Sequence, residues 1–279
     1  MRTTLMIAAF AAAPTWVMAQ PAVPATAPAA TTPAAATAPH VEPATEGKRL
    51  TAKDGAVVAR EWELGFSFYG LANGSFMTEP SDQDKVNPDN NQALLYPGFG
   101  GASGGAGFNL VGSWRGIIGL ELGMYFSADR GTGSIQDFDF TVGQTAFHLP
   151  VLLRIAAPLN KGVRPFLFGG PDFVFPGKAE VTNSAEELDR VSVNGQPLQL
   201  NAHADSYMAW AAGFGLEFLL PLEGQDFRIP LTFRANLNPN TGVKAVDRLK
   251  APVTQHSYDY NTEWEIQAVI TLGFGWYFM

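Results

Sequence analysis

The stretch EWEIQAVITLGFGWYFM, residues 263–279, decides the fold. In it Trp264, Ile266, Ala268, Ile270, Leu272, Phe274, Trp276 and Phe278 occupy every even position. Glu265, Gln267, Val269, Thr271, Gly273, Gly275 and Tyr277 fill the odd positions between them. Strict period-two alternation gives a β-strand one continuous apolar face and one polar or small face. The run is far longer than the roughly five or six residues of an ordinary soluble strand. It matches the roughly nine to eleven residues, with overhang, that a tilted strand needs to cross a bilayer. Aromatic and C-terminal, it reads as the closing strand of an outer-membrane barrel.

Working back from this strand, the same alternation recurs. Phe227, Ile229, Leu231, Phe233, Ala235 and Leu237 alternate with Arg228, Thr232, Arg234 and Asn236. Met208 to Leu220, Phe147 to Ile155, Ile118 to Phe126 and Trp62 to Phe68 behave alike. Gly98 to Leu110 is a glycine-rich strand with weak alternation, and Arg164 to Phe175 an apolar run of ambiguous parity. Together they predict an all-β fold, an eight-stranded antiparallel up-and-down transmembrane barrel over residues 59–279.

The connections support that count. Long polar loops are expected near Asn73–Leu94, Ala128–Asp137, Gly177–Ser206 and Asn238–Asn261. Short turns are expected near Val111–Arg115, Ala157–Val163 and Pro221–Asp226. Long outer loops and short periplasmic turns are the asymmetry of such barrels. An even number of strands returns the C-terminus to the periplasm. Threaded up and down, Trp62, Trp114 and Trp276 fall at one rim and Trp210 and Trp264 near the other, where aromatic girdles form.

Parity then sets the lumen. It receives Glu61, Glu63, Glu121, His148, Arg154, Glu217, Arg228, Arg234 and Glu265. Sliding the closing strand by one residue would push Glu265 and Gln267 into hydrocarbon, so register is strongly specified. Eight strands enclose a space just wide enough for side chains to fill. An ion-paired plug is expected rather than an open pore.

Composition agrees. The chain has 279 residues, no cysteine, 20 phenylalanines, 29 glycines and a net charge of -8. Without cysteine there is no disulfide framework and no thiolate metal site. The acidic balance argues against nucleic acid, whose phosphates call for a basic footprint. Charged residues are 16% of the chain, well below the roughly 25% of soluble domains. No run reaches the roughly eighteen apolar residues that mark a membrane helix. At the N-terminus Arg2, the apolar Leu5–Ala13 and Val17-Met18-Ala19 read as a signal peptide, residues 1–19. Residues 20–58, dominated up to Thr45 by Ala, Pro and Thr, read as a disordered periplasmic linker.

Candidate chemistry is sparse. His203, Asp205 and Ser206 lie close in the third long loop, and His256 and Ser257 in the fourth. A histidine beside a carboxylate and a hydroxyl is the minimal nucleophilic arrangement. No strand-anchored triad is legible, so no catalytic residue is assigned and no enzyme activity is expected. Asp82, Asp84, Asn87 and Asp89 are oxygen ligands at close spacing. They lack the glycine and terminal Glu of a calcium loop, and read as a solvated acidic loop. Gly100 to Gly107 is followed by no Lys-Ser/Thr and no helix, so it is not a phosphate loop. No metal or cofactor is expected.

The run His148-Leu149-Pro150-Val151-Leu152-Leu153-Arg154, then Arg164-Pro165-Phe166-Leu167-Phe168-Gly169-Gly170-Pro171, resembles the outer-membrane barrel family that includes PorT-like proteins. Ala211 to Phe218 and Leu272 to Phe278 resemble that family's next and closing strands, so the likeness spans Glu61 to Met279 and extends to small barrels of the OmpA/OmpX type. It implies a bacterial outer-membrane location, contact with outer-membrane lipid, and delivery by the barrel-assembly machinery. Phe274, Trp276 and Phe278 would then carry the C-terminal assembly signal, with the final aromatic penultimate because Met279 follows it. The family is functionally mixed. The expected role is structural or interactive, in an envelope assembly reached through the loops or the N-terminal arm. A narrow channel through the charged lumen and a lipid-active enzyme at the outer rim are the alternatives.

Overall fold

The computed structural model describes residues 61–80, 96–135, 138–158, 162–182, 192–193, 196–197, 199–222, 225–242, 244, 248–249 and 257–278. The expected signal peptide and linker, the loop residues Asp82, Asp84, Asn87 and Asp89, and His256 lie outside them.

Eight long strands form the wall: β1 (Trp62–Met77), β2 (Phe99–Trp114), β3 (Ile118–Ile135), β4 (Phe138–Ala156), β5 (Val163–Thr182), β9 (Tyr207–Leu222), β10 (Gln225–Leu237) and β12 (Ile266–Phe278). Four short ones lie between them: β6 (Ser192–Val193), β7 (Gln196–Pro197), β8 (Gln199–His203) and β11 (Ser257–Asn261). The wall closes in the order β1-β12-β10-β9-β5-β4-β3-β2. Every wall pairing is antiparallel. The closing seam pairs Phe66 with Trp276 and Phe68 with Phe274. This is the expected eight-stranded antiparallel barrel.

Its polarity is inverted relative to a soluble core. Phe68, Phe126, Leu167 and Leu272 are each about 60% exposed on the outside, whereas His148, Asp172 and Glu217 are fully buried within. The ambiguous run in β5 resolves accordingly. Arg164, Phe166, Phe168, Asp172 and Val174 point inward, and Leu167, Phe173 and Phe175 outward.

Several expected boundaries are corrected. The closing strand starts at Ile266, not Glu263. The loop expected at Ala128–Asp137 is mostly strand, since β3 and β4 stay paired from Ser127–Ala146 to Ile135–Phe138. Likewise Asn73–Met77 belongs to β1, and Gly177–Thr182 to β5. The physical reason is shared. Past the apolar belt the outer face turns polar, as at Arg130, Thr132 and Ser134, so alternation disappears while backbone pairing continues.

The short β2–β3 connection is tighter than expected. Ile117 N–H donates to the Trp114 carbonyl at 3.0 Å, and Arg115 and Gly116 both have positive φ, 51° and 65°. Two successive left-handed residues form the centre of the Trp114–Ile117 turn, and the pairing of Trp114 with Ile118 leaves three residues in the connection. The glycines of β2 have a packing role too. A Cβ on Gly107 would collide with the Tyr125 side chain and the Met124 carbonyl. Gly107→Val should therefore destabilise the folded barrel by about 1–3 kcal/mol, the usual cost of overpacking, as measured by urea unfolding. An unchanged midpoint would show that β2 and β3 are not so closely apposed.

Candidate functional site

The interior is built in layers along the barrel axis. Nearest the short turns lies an arginine–carboxylate network. Glu217 is ion-paired with Arg154 Nη2 at 2.5 Å and accepts from Arg228 Nη1 at 3.3 Å and from the Tyr277 hydroxyl at 2.7 Å. Arg164 Nη1 lies 3.6 Å from Glu217 Oε2, the oxygen that Arg228 also bonds. Glu63 takes two bonds from Arg228, at 2.9 and 2.7 Å, and one from Arg164 at 3.1 Å. Arg228 also reaches Asp226, and Arg154 lies 3.6 Å from Glu121. Two guanidiniums sit over aromatic faces, Arg154 on Phe166 at 3.7 Å and Arg228 on Tyr277 at 3.9 Å. All eight wall strands contribute: β1, β2 (Asn109 to Glu121, 2.6 Å), β3, β4, β5, β9, β10 and, through Tyr277, β12. Shared donors and acceptors of this kind hold charge in low dielectric by leaving few groups unpaired.

The middle layer centres on Asp172. It accepts from the Tyr125 hydroxyl at 2.8 Å and Asn236 Nδ2 at 3.0 Å, and His148 Nδ1 lies at 3.1 Å. The His148 ring stacks on Tyr125, centroids 4.1 Å apart, and Arg234 lies over Tyr125 at 4.7 Å. Above it Asn73 donates to Asp129 at 2.6 Å and accepts from Ser103 at 2.8 Å, and Gln267 donates to Ser75 at 3.1 Å.

One arrangement here bears on catalysis. Ser127 Oγ lies 3.2 Å from His148 Nε2, while His148 Nδ1 faces Asp172. Serine, histidine and aspartate thus stand in nucleophile–base–orienter order on β3, β4 and β5. Ser127 is 3% exposed and its two partners 0%. A scissile carbonyl must approach within about 3 Å of the nucleophile, and buried Oγ offers no approach. The three serve as internal bracing between neighbouring strands.

The far end is closed by an apolar cap. Met77, Tyr96, Phe99, Phe140, Leu249, Tyr260 and Trp264 form one buried cluster with Val142. The Tyr96 hydroxyl donates to the Asn261 carbonyl at 3.0 Å. Burial pushes the Tyr96 and Tyr260 hydroxyls up, so both stay protonated at any physiological pH. β8 and β11 pair in parallel above, matching Gln199 with Ser257 through His203 with Asn261. The parts of the third and fourth long connections that form β8 and β11 are thus packed against each other.

Among the residues expected in the lumen, Glu63, Glu121, His148, Arg154, Glu217, Arg228 and Arg234 are buried there. Glu61 is not, since it precedes β1 and is exposed at the rim. Glu265 is displaced too. It precedes β12, half-buried at the capped end, and accepts from Arg248 at 3.1 Å and Thr78 N–H at 3.0 Å. Trp62, Trp114, Trp210 and Trp276 face outward, and Trp62 and Trp114 are register partners. Trp264 is the exception, 2% exposed within the cap, because the strand that would have turned it outward starts two residues later. Phe274, Trp276 and Phe278 share the outer face, with Phe227 stacked on Phe274 and Trp276.

The loop chemistry is rearranged. His203 pairs with Asp259 across β8 and β11, at 2.5 Å. Asp259 was missed because it is distant in sequence, and Arg164 and Asp172 because β5 breaks its alternation at Gly169-Gly170-Pro171. No group of three or more His, Cys, Asp or Glu with metal-holding geometry occurs among the described residues.

No protein-family model and no curated protein matches the chain. Solved structures do. Ail, the attachment invasion locus protein of Yersinia pestis, in complex with the heparin analogue sucrose octasulfate, is 16% identical, covering 78% of this chain and 100% of its own, TM-score 0.34. The outer membrane protein OprG of Pseudomonas aeruginosa is 14% identical over 77% of this chain and 95% of its own, TM-score 0.39. Neisserial surface protein A is 9% identical over 76% and 95%, TM-score 0.34.

Proposed function

We propose that this chain is an integral β-barrel of the bacterial outer membrane, with a filled, non-conducting lumen and a structural or interactive role at the cell surface. The observation that carries it is the inversion of polarity around the whole wall. Exposed Phe, Leu, Ile and Trp side chains circle all eight strands, whereas a soluble monomer tolerates apolar patches of only a few hundred Å², roughly 300–600. Hydrocarbon is the solvent that suits this surface, and a closed barrel satisfies its backbone without water.

Inside, three cross-linked polar layers and an apolar cap stand where a pore would run. The closed lumen speaks against the channel reading, and the burial of Ser127 against a serine nucleophile within the lumen. What remains open to a partner is the packed cap made by β8, β11 and the wall extensions. We assign the interaction role to that end, in an envelope assembly.

Three experiments test the reading. The folded protein should pellet with membranes, need detergent for release and migrate differently after heating. In planar bilayers it should give no conductance steps. Clear single-channel steps from folded protein would replace the structural reading with the channel one. Photo-crosslinkers at Asn201 or Asp259 should capture envelope proteins in intact cells. Recovering only lipid there would remove the interaction role.

A further inference from the structure

We infer that the outer wall across β3, β4 and β5 holds the phosphate-bearing headgroup of an outer-leaflet lipid, gripped by Arg130 and Lys178. This rests on the outer-membrane reading above. The wall itself marks the level. Phe126, Phe147 and Phe175 are paired across the three strands, with ring centroids 4.9 and 6.2 Å apart, and form the last aromatic row. One outward position higher, Ala128 pairs with Thr145. The next row is Arg130, Gly143 and Glu180.

Phe126 and Arg130 are four residues apart on β3, about 13 Å along a strand, or roughly 10 Å of height at a tilt near 40°. The polar headgroup layer is roughly 5–7 Å thick on each side of the hydrocarbon. With the Phe row at the end of the hydrocarbon, the Arg130 backbone stands roughly 3–5 Å beyond that layer, and its long side chain must reach back down to meet a headgroup.

The surface there is concave. A cavity of about 650 Å³ is lined by the small residues Ala102, Gly104, Ala128 and Gly143, by two bases, Arg130 and Lys178, and by two acids, Asp129 and Glu180. The small residues carry a methyl or nothing, so they leave room for a headgroup and the start of an acyl chain. A register irregularity between Gln144 and Ala146 bends the wall at this place.

Charge selects the occupant. Arg130 is exposed and, among the described residues, has no carboxylate partner. Lys178 bonds Glu180 at 2.8 Å in a pair that is open to solvent on both sides, and such pairs are weakly held. A guanidinium matches a phosphate bidentately, and an ammonium adds a second point charge. Basic pockets at membrane level bind lipid headgroups by this means. Glu180 opposes the anion, so it tempers the site.

The test uses the full-length protein, folded in neutral detergent and incubated with lipid A carrying both phosphates, with bound lipid counted by native mass spectrometry. Wild type should retain one lipid A per barrel. Arg130→Gln should weaken retention about tenfold, the worth of one charge-assisted hydrogen bond, and Arg130→Lys should keep most of it. Lys178→Gln should weaken it less, and Glu180→Gln should strengthen it. Equal retention by Arg130→Gln, or equal retention of dephosphorylated lipid A, would overturn the assignment. So would inorganic phosphate binding with the same Arg130 dependence, since the site would then hold a free anion. Heat-modifiable migration is recorded for every sample. A wild type that folds yet binds no lipid A defeats the site alone, whereas one that never inserts defeats the outer-membrane reading.

Discussion

Glu217→Ala should destabilise the folded barrel by about 3–5 kcal/mol, the cost of leaving buried charges without their partner. Glu217 is fully buried and sits among Arg154, Arg164 and Arg228, with the Tyr277 hydroxyl on the same carboxylate. Removing it leaves Glu63, Glu121 and Asp226 to serve three guanidiniums. Arg154 suffers most, because its remaining carboxylate lies 3.6 Å away. Urea unfolding of the barrel in detergent, followed by tryptophan fluorescence, reads the loss. Glu217→Gln should fall between wild type and alanine, since it keeps an acceptor but not the charge. If both variants stay within about 0.5 kcal/mol of wild type, as surface substitutions do, water must reach the guanidiniums. The filled-lumen account would then fail.

That network also explains why this interior is polar at all. Eight strands enclose a space that side chains can fill, and filling it with hydrocarbon would remove the difference between the two faces of each strand. The alternation would then cease to specify register. Charged inward residues make a one-residue slip prohibitive on β9, where Glu217 alternates with Leu216 and Phe218, and on β10, where Arg228 and Arg234 alternate with Phe227 and Phe233. We take the lumen chiefly as a device for fixing register and cross-linking the wall, with the cap excluding water from the other end.

How much of this was legible follows from which solvent each residue meets. Where the outer face is apolar and the inner face polar, sequence and structure agree. Trp276, Phe274 and Leu272 face out, and Tyr277 and Thr271 face in. Where both faces meet water or protein, alternation fades, and β3 past Ala128 reads as loop although it is paired to Ile135. Trp264 fails for a related reason, because the strand starts only at Ile266 and the chain before it turns the indole into the cap. Parity tells which residues enter the lumen, yet it says nothing of height. Hence Glu61 and Glu265, both of inward parity, were placed with a network that neither reaches. Partners were the least visible part. The Ser127–His148–Asp172 and His203–Asp259 contacts join residues 21 to 56 apart, and they emerge only once strand heights are aligned.

The identity of the solvent outside can be read by moving one charge along one strand. Leu272 is the middle residue of β12, outward and 60% exposed, between Gly70 and Leu231. Leu272→Arg should cost about 2–4 kcal/mol in a folded-in-vesicle measurement, whereas Phe278→Arg at the strand's end should cost only about 0–1 kcal/mol. The gradient is the informative quantity. Both positions are outward and similarly exposed, so in water an arginine at either would change stability by less than about 0.5 kcal/mol. A bilayer centred on β12 makes the middle position far worse than the end, because only there must the guanidinium be dragged through hydrocarbon or the lipid thinned to meet it. Flat, small costs at both sites would mean that this wall is not wetted by lipid. The greasy belt would then need a protein partner to cover it.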